Sequence, residues 1–509
     1  MPTHLVNLDA LIQREDFAAP SDSPAAKARL AAELKLSELQ EQQVYYLILR
    51  KPDFQRETAN WGPKQICTFL KSFLDEKLIP SVIMWRSPFT GNVFVIDGAH
   101  RLSALISWVQ DDYGDKKRSL EYFGHGMTQE QLDLAGQTRR LIDGEIGSYA
   151  WLSLIVQHPH QAKDELQMRR AKNVVTTPIH LQWVDGNEAA AEESFYVING
   201  SATLIDETEM EVIKARRKPN AISTRALMRA GTGMKYHLAF PPENIAEIES
   251  LAREIYDILF KPTQPRGPIK TTDLPIASKS YTPVSFKMLF DLVNLTNGVT
   301  KRMWREAPAT AKRKARAPSL TDDADGVATI QYLKTVRRSA RLISSDDRGS
   351  LGLHPIVYTY DASGKFQPTA FLAAVSFFTE LRAQDEFIAF TDVRRDFEEF
   401  LVRHRHFVNH LGRSYGSRTR PLDAITTMYR LILQEMRNGI RDDMAIRSTL
   451  LAHPKLRKLG ETNSENAAVD QRDFTRDVKS AAFLRDGIDT PIRCKGCGAR
   501  LHSIDSRII

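Results

Sequence analysis

The stretch Val93-Phe-Val-Ile-Asp-Gly-Ala-His-Arg-Leu-Ser-Ala-Leu-Ile106 constrains the fold more than any other part of the chain. Val93 to Ile96 is a short run of β-formers, of the kind a covered sheet needs. Asp97-Gly98 is a turn signal, and glycine takes backbone angles that other residues resist. Leu102, Leu105, Ile106 and Val109 then recur at helical spacing. The order is therefore strand, tight turn, helix, with Ala99, His100 and Arg101 in the first helical turn. Unpaired backbone N–H groups and the positive end of the helix dipole make such a place suited to anions. Arg101 adds forked donors with a permanent charge, which match phosphate.

Asp97-Gly98-Ala99-His100-Arg101, followed by Leu102 and Ala104, resembles the Asp-Gly-Gln-His/Gln-Arg signature of the ParB/sulfiredoxin-like superfamily. Within it, the resemblance is to GmrSD-type proteins of bacterial anti-phage and modification-dependent restriction systems. Two further segments carry it. Pro52-Asp-Phe-Gln-Arg-Glu-Thr-Ala-Asn-Trp61 is similar to the family's Tyr-Gln-Arg…Trp element, with a helix (Gln65 to Leu74) and a strand (Pro80 to Trp85) following. Ser194-Phe-Tyr-Val-Ile-Asn199, then Leu204 and Glu209, is similar to its Phe-x-x-x-Asn…Leu…Glu element. Ala99 replaces the usual Gln, which leaves no side-chain amide there to contact a nucleotide. The motif also lacks the reactive cysteine of sulfiredoxins, which excludes thiol repair.

The resemblance implies an α/β ParB/sulfiredoxin-like N-terminal domain, then a mainly α-helical region, so α+β overall. It implies a nucleoside triphosphate bound with magnesium. Gln55, Arg56, Gly98, His100, Arg101, Ser103 and Asn199 would contact the nucleotide. Asp97, His100 and Arg101 would form the catalytic group, with Asp97 orienting Arg101 or holding magnesium through water. Binding or hydrolysis would then gate DNA cleavage. A different reading of the same fold is a non-enzymatic ParB-like or DndB-like DNA-binding sensor. Cleavage by the N-terminal module itself ranks last, because no carboxylate cluster for two metals is evident.

A chain of 509 residues is long enough for about two to four domains. Hydrophobic content of 42% and charged content of 26% suit a soluble globular protein. The net charge of +7 is compatible with a nucleic-acid partner and equally with a solvated basic surface. Three cysteines argue against a disulfide-built secreted fold, and Cys67 falls on the core side of a helical pattern. No signal peptide or membrane-length apolar run is present, so a bacterial cytoplasmic location is expected. Expected partners are nucleotide and DNA, phage-derived or modified; a homo-oligomer is an open option.

The resemblance and the composition shifts divide the chain into residues 1–240, with an insertion at about 111–193; a helical, basic region 241–455; a linker 456–485; and a terminal fragment 486–509. Before the first motif, Ala25 to Glu41 reads as a helix and Val44 to Leu49 as a strand. Asp111-Asp112-Tyr-Gly-Asp115 reads as a cation site or as a solvated helix end. Lys172 to Trp183 has strand character. Thr208 to Arg217 and Thr224 to Ala230 read as helices carrying the cations Arg216, Arg217, Lys218, Arg225 and Arg229. Ala230-Gly-Thr-Gly233 fits a phosphate loop or a helix cap. Lys261 to Pro283 is a proline-rich loop. Helices are expected at Val284 to Leu295, Val327 to Ile343, Thr369 to Arg382, Asp392 to His404 and Leu422 to Met436, with Leu353 to Tyr360 extended.

Two basic segments fit a phosphate backbone or ordinary solvated charge. The first holds Lys301, Arg302 and Arg305 around Trp304, then Lys312, Arg313, Lys314 and Arg316. The second holds Arg403, Arg405, Arg413, Arg418 and Arg420, with Tyr415 among them. At the chain end, Cys494-Lys-Gly-Cys497 presents two thiolates suited to zinc. It resembles the opening hairpin of an HNH-type nuclease. The chain stops at Ile509, before the later ligands and catalytic pair of such a nuclease, so an incomplete HNH fragment is expected. His502 with a fourth ligand from elsewhere is the other way to complete a zinc site.

Overall fold

The computed structural model describes residues 5–15, 31–52, 55, 58–59, 61–124, 127, 129–201, 207–231, 240–261, 274–278, 283–300, 303, 320–345, 349–361, 364–414, 419–461, 492–493 and 500–501. The chain divides into two compact units, Met1–Arg216 with Thr232–Pro242, and Arg217–Gly231 with Glu243–Ile509.

The first unit is built on a six-stranded mixed sheet. Its strands are β1 (Gln13–Glu15), β2 (Glu33–Leu34), β3 (Leu49–Pro52), β4 (Val82–Arg86), β5 (Val93–Asp97) and β6 (Ile179–Trp183). Their spatial order is β1-β3-β5-β4-β6-β2. β1, β3 and β5 run parallel, β4 is antiparallel to β5, and β6 is parallel to β4. One sheet end therefore collects the chain leaving β3 and β5 and the chain entering β4 and β6.

The uninterrupted apolar run of β5 follows from burial on both faces. Side chains alternate along a strand. Val82, Met84, Val93 and Val95 pack with α2 (Pro63–Leu74) and α3 (Ala99–Val109) in the larger core. Trp85, Phe94 and Ile96 pack on the opposite face with Ala191 and Phe195 of α8 (Glu188–Ser201) and Ile213. Each fully buried side chain of this size contributes about 1.5–3 kcal/mol. Cys67 is one of the buried residues of α2, as the helical pattern predicts.

Four local expectations are corrected. Val44–Ile48 is a short helix, not a strand, and strand pairing begins at Leu49, opposite Val93. Tyr46 of that helix is buried, its hydroxyl donating to Leu11 O at 2.6 Å, while Val44 and Leu47 face solvent. Tertiary packing thus overrides the β propensity of Val-Tyr-Tyr-Leu-Ile. Of the helix expected over Ala25 to Glu41, residues 25–30 lie outside the described residues. The remainder forms β2, paired antiparallel with β6, and a 3-10 turn Leu36–Leu39 capped by Glu38 on Lys35 N. Lys172 to Trp183 divides at Pro178 into the end of a helix, Glu165–Thr176, and β6. Leu353 to Tyr360 contains a helical turn, Pro355–Tyr358, with His354 as its N-cap. The segment 111–193 is mainly helical, with Gln129–Glu145 and Tyr149–Gln157 among its helices.

The second unit is helical through residue 461 of its described part. It includes Pro219–Met228, Pro242–Phe260 from Glu243 onward, Pro283–Thr296, Val327–Ile343, Pro368–Ala383, Phe387–Arg403, His406–Ser414, Thr419–Arg437 and Asp443–Ala452. Pro219–Met228 is buried along its whole length. Gly231 follows it at φ +70°, where an added Cβ would lie 2.2 Å from Glu249 O, so only glycine permits this approach. Arg225 and Arg229 are buried in this packing and present no open cationic surface. Near the end of the described residues, Ile492–Arg493 pairs antiparallel with Arg500–Leu501. Among the described residues, no helix is long and apolar enough to cross a membrane.

Candidate functional site

The turn between β5 and α3 follows from Gly98. Gly98 is the N-cap of α3 at φ +91°, ψ +13°, in the left-handed region, and its carbonyl accepts from Leu102 N at 2.9 Å. Arg101, in the first turn, reaches back across it. Its Nη2 donates to Asp97 Oδ2 at 2.7 Å and to Ser81 O at 3.2 Å. Both partners of the ion pair keep part of their surface in solvent, 19% for Arg101 and 33% for Asp97. The Nε of Arg101 is covered and has no hydrogen-bond partner.

Gln55 joins this turn from the loop after β3. It is 8% exposed, and its Nε2 lies 3.4 Å from Ile96 O, at the end of β5. Its Oε1 is buried without a partner. Because β3 and β5 are parallel neighbours, the Gln55 loop and the Gly98 turn leave the sheet at one end. Ligands of open α/β sheets bind in that position, outside strand carboxyl ends. The His100 ring stands 6.0 Å from that of Trp61, which in turn lies 5.3 Å from Phe69 of α2. Ser103 is fully buried and its Oγ has no partner. Asn199 lies on α8. Arg56 lies outside the described residues.

A buried polar network that sequence reasoning missed holds the Gln55 loop. Asp9 is fully buried, and its Oδ1 accepts from Lys51 Nζ at 2.6 Å, Arg14 Nη2 at 2.8 Å and Thr58 N at 3.1 Å. Its Oδ2 accepts from Tyr122 Oη at 2.9 Å and Arg14 Nε at 3.1 Å. Arg14 Nη1 also donates to the carbonyl of Gln55. Buried charges need this degree of pairing, and removing one member leaves the others uncompensated. One signal was available: Leu49 faces the core, and Lys51, two residues on, shares its face.

A cavity of about 260 Å³ opens at the same sheet end. It lies between the end of α2, the chain entering β4, the chain entering β6 and Arg101. Phe69, Phe73, Val82, Leu105 and Ile179 supply much of its apolar wall.

The acidic run after α3 is structural. Arg139 donates to Asp111 Oδ1 at 2.7 Å and to both carboxylate oxygens of Asp115 at 2.8 Å. Asp112 Oδ1 accepts from the backbone N–H groups of Gly114, Asp115 and Lys116. Its carboxylate thereby completes the turn before the helix Lys117–Phe123. No group of three or more metal-ligating side chains occurs among the described residues.

The cations singled out from sequence are distributed unevenly. Arg403 forms a two-pronged pair with Asp443, at 2.8 and 2.9 Å, and His404 Nε2 lies 3.0 Å from the same carboxylate. The Arg403 guanidinium holds Asp443 below the usual carboxylate range. Arg405 Nη2 donates to Ile356 O at 3.1 Å. Burial pushes the His406 imidazole below its ordinary value. Arg413 and Arg420 lie on described helices. Lys301, Arg302, Arg305, Lys312, Arg313, Lys314, Arg316, Arg418, Cys494 and Cys497 lie outside the described residues.

Residues 35–216 match the family model of the GmrSD restriction endonuclease N-terminal domain. The matched segment contains Gln55, the Gly98 turn and the cavity. No curated protein and no solved structure matches the chain.

Proposed function

We propose that this chain, whose residues 35–216 form a GmrSD-type N-terminal domain, acts in restriction or anti-phage defence by coupling nucleoside-triphosphate binding to DNA. The observation that carries the nucleotide reading is Arg101, held by Asp97 across a left-handed glycine at a helix N-terminus. A phosphate there meets backbone N–H groups, the helix dipole and a guanidinium at once. Gln55, packed against the end of β5, adds an amide from the neighbouring loop.

Hydrolysis at this place rests on charge stabilisation. Little covalent work falls to the protein in phosphoryl transfer, and positioned cations offset the charge that builds on the transferred group. Arg101 would supply that charge, with Asp97 fixing its direction. Magnesium enters such sites with the phosphates and needs only one or two carboxylates. Asp97, a partly exposed carboxylate with one oxygen engaged by Arg101, fits that requirement. DNA is the expected macromolecular partner, chiefly through Lys301 to Arg316, because Arg403 and Arg405 of the second basic segment are already engaged by Asp443 and the Ile356 carbonyl. Cys494 and Cys497 would give two thiolates of a zinc site, which metal analysis of wild type and Cys494→Ser tests.

The deciding experiment measures phosphate release from ATP, GTP, CTP and UTP by the purified chain, with magnesium, with and without DNA. Release stimulated by DNA and lost in Arg101→Ala is the expected result. Binding without release points instead to a sensor. Absence of binding by all four nucleotides overturns the assignment.

A further inference from the structure

We infer that the cavity beside α3 receives the base and sugar of the nucleotide whose phosphates lie at the Gly98 turn. This rests on the nucleotide reading above and adds where the rest of the ligand goes. Arg101 belongs to both places: it spans the turn to Asp97, and it lines the cavity. A ligand with a charged end at the turn therefore has its other end directed into an adjoining recess.

The chemistry of the recess fits a nucleoside. Its volume of about 260 Å³ is just below the roughly 300–1,000 Å³ typical of sites for drug-sized ligands. That suits a base with its sugar and is too small for a duplex. Phe69 offers an aromatic ring, and Phe73, Leu105 and Ile179 offer apolar surface. Every base has a π-face that such walls receive. Polar groups for reading a base edge are also present. Thr177 lines the cavity, and its Oγ1 is covered and has no hydrogen-bond partner. A covered hydroxyl left unpaired is costly, and a base nitrogen or carbonyl would satisfy it. Lys77 and His180 stand on the more exposed part of the wall.

Topology explains why these residues meet. Ile79 and Pro80 lead into β4, and Thr177 and Pro178 lead into β6. β4 and β6 are parallel neighbours, so the two lead-in segments lie at the sheet end where β5 delivers Gly98.

The test compares inorganic triphosphate with ATP, GTP, CTP and UTP by calorimetry on the full chain with magnesium. Inorganic triphosphate probes the turn alone, whereas a nucleotide probes turn and cavity together. Wild type should bind at least one nucleotide about ten-fold or more tightly than inorganic triphosphate. Ile79→Trp, which fills the recess, should bring that nucleotide down to the affinity of inorganic triphosphate and leave the latter unchanged. Thr177→Val, nearly isosteric, should change the ranking of the four nucleotides, and it retains the test if Ile79→Trp fails to fold. Equal wild-type affinities for nucleotide and inorganic triphosphate overturn the cavity assignment while leaving the phosphate site standing. So does a folded Ile79→Trp with full nucleotide affinity, or an unaltered ranking in Thr177→Val. Binding of neither probe overturns the phosphate site itself.

Discussion

Arg101 and Asp97 are joined across Gly98 by a 2.7 Å hydrogen bond between Nη2 and Oδ2. The pair spans the strand-to-helix turn and aims the guanidinium before any ligand arrives. Pre-orientation of this kind lowers the ordering cost of binding an anion. It also separates the two partners' roles. Arg101→Ala removes the proposed phosphate contact and should weaken nucleotide binding by about 1.5–3 kcal/mol, the range for hydrogen bonds to charged groups. Asp97→Asn keeps the cation and loosens its direction, so its loss of affinity should be smaller. Calorimetry on the three proteins gives the order, and thermal melts should show both variants folded. Equal affinities for wild type and Arg101→Ala would remove the phosphate assignment.

Gly98→Ala acts on the same place through the backbone. Gly98 has φ +91°, and an added Cβ would lie 2.9 Å from Arg101 Nη2 and 3.2 Å from Val82 Cγ2. A left-handed alanine costs about 1 kcal/mol or more, before the displacement of Arg101 is counted. The variant should therefore unfold at lower urea concentration and also bind nucleotide more weakly than its stability loss alone explains. Retained affinity in a folded Gly98→Ala protein would show that Arg101 need not hold its place against the turn.

Much of this site is legible in the sequence because its parts are local. Val93 to Ile96, Gly98 and the apolar spacing of Leu102 to Val109 specify strand, turn and helix within seventeen residues. The Gln55 loop follows from its resemblance to a known motif. What the sequence does not display is set by tertiary pairing. Asp9 and Lys51 are isolated charges 42 positions apart until the fold buries them together. Ile79 and Thr177 become neighbours only once β4 and β6 lie side by side. The short helix Val44–Ile48 defeats propensity for the same reason, since its backbone finds no strand partner before Leu49.

Acid stability should depend on Asp75 and Arg170. Arg170 grips Asp75 with Nε at 2.8 Å and Nη2 at 3.2 Å, and its Nη1 donates to Glu145 O. The Arg170 guanidinium holds the Asp75 carboxyl below its usual range. A depressed carboxylate stabilises the folded state above its unfolded pKa, about 3.9, and loses that contribution as pH falls through the lower folded value. Arg170→Met should therefore be less stable than wild type at neutral pH, with the gap closing below about pH 4. Urea midpoints measured from pH 2.5 to 7 check this. A gap independent of pH would assign the loss to packing alone.

The basic segments should contribute unequally to DNA binding, and the structure supplies the reason for one of them. Each phosphate neutralised on duplex DNA adds about 0.9 to the log–log salt slope. Arg403 is already engaged by Asp443 through two hydrogen bonds, and Arg405 by the Ile356 carbonyl. Either cation would have to give up these contacts to reach a phosphate. Arg403→Ala should thus change the slope little, while weakening the attachment between the helices Phe387–Arg403 and Asp443–Ala452. Replacing Lys312, Arg313, Lys314 and Arg316 together with Ala should flatten the slope by about 2 or more if at least half of them meet phosphates. Titrations of labelled duplex at several salt concentrations separate the two variants. An unchanged slope in the four-residue variant would make those charges ordinary solvated surface. A large change in Arg403→Ala would mean that DNA competes with Asp443 for the same guanidinium.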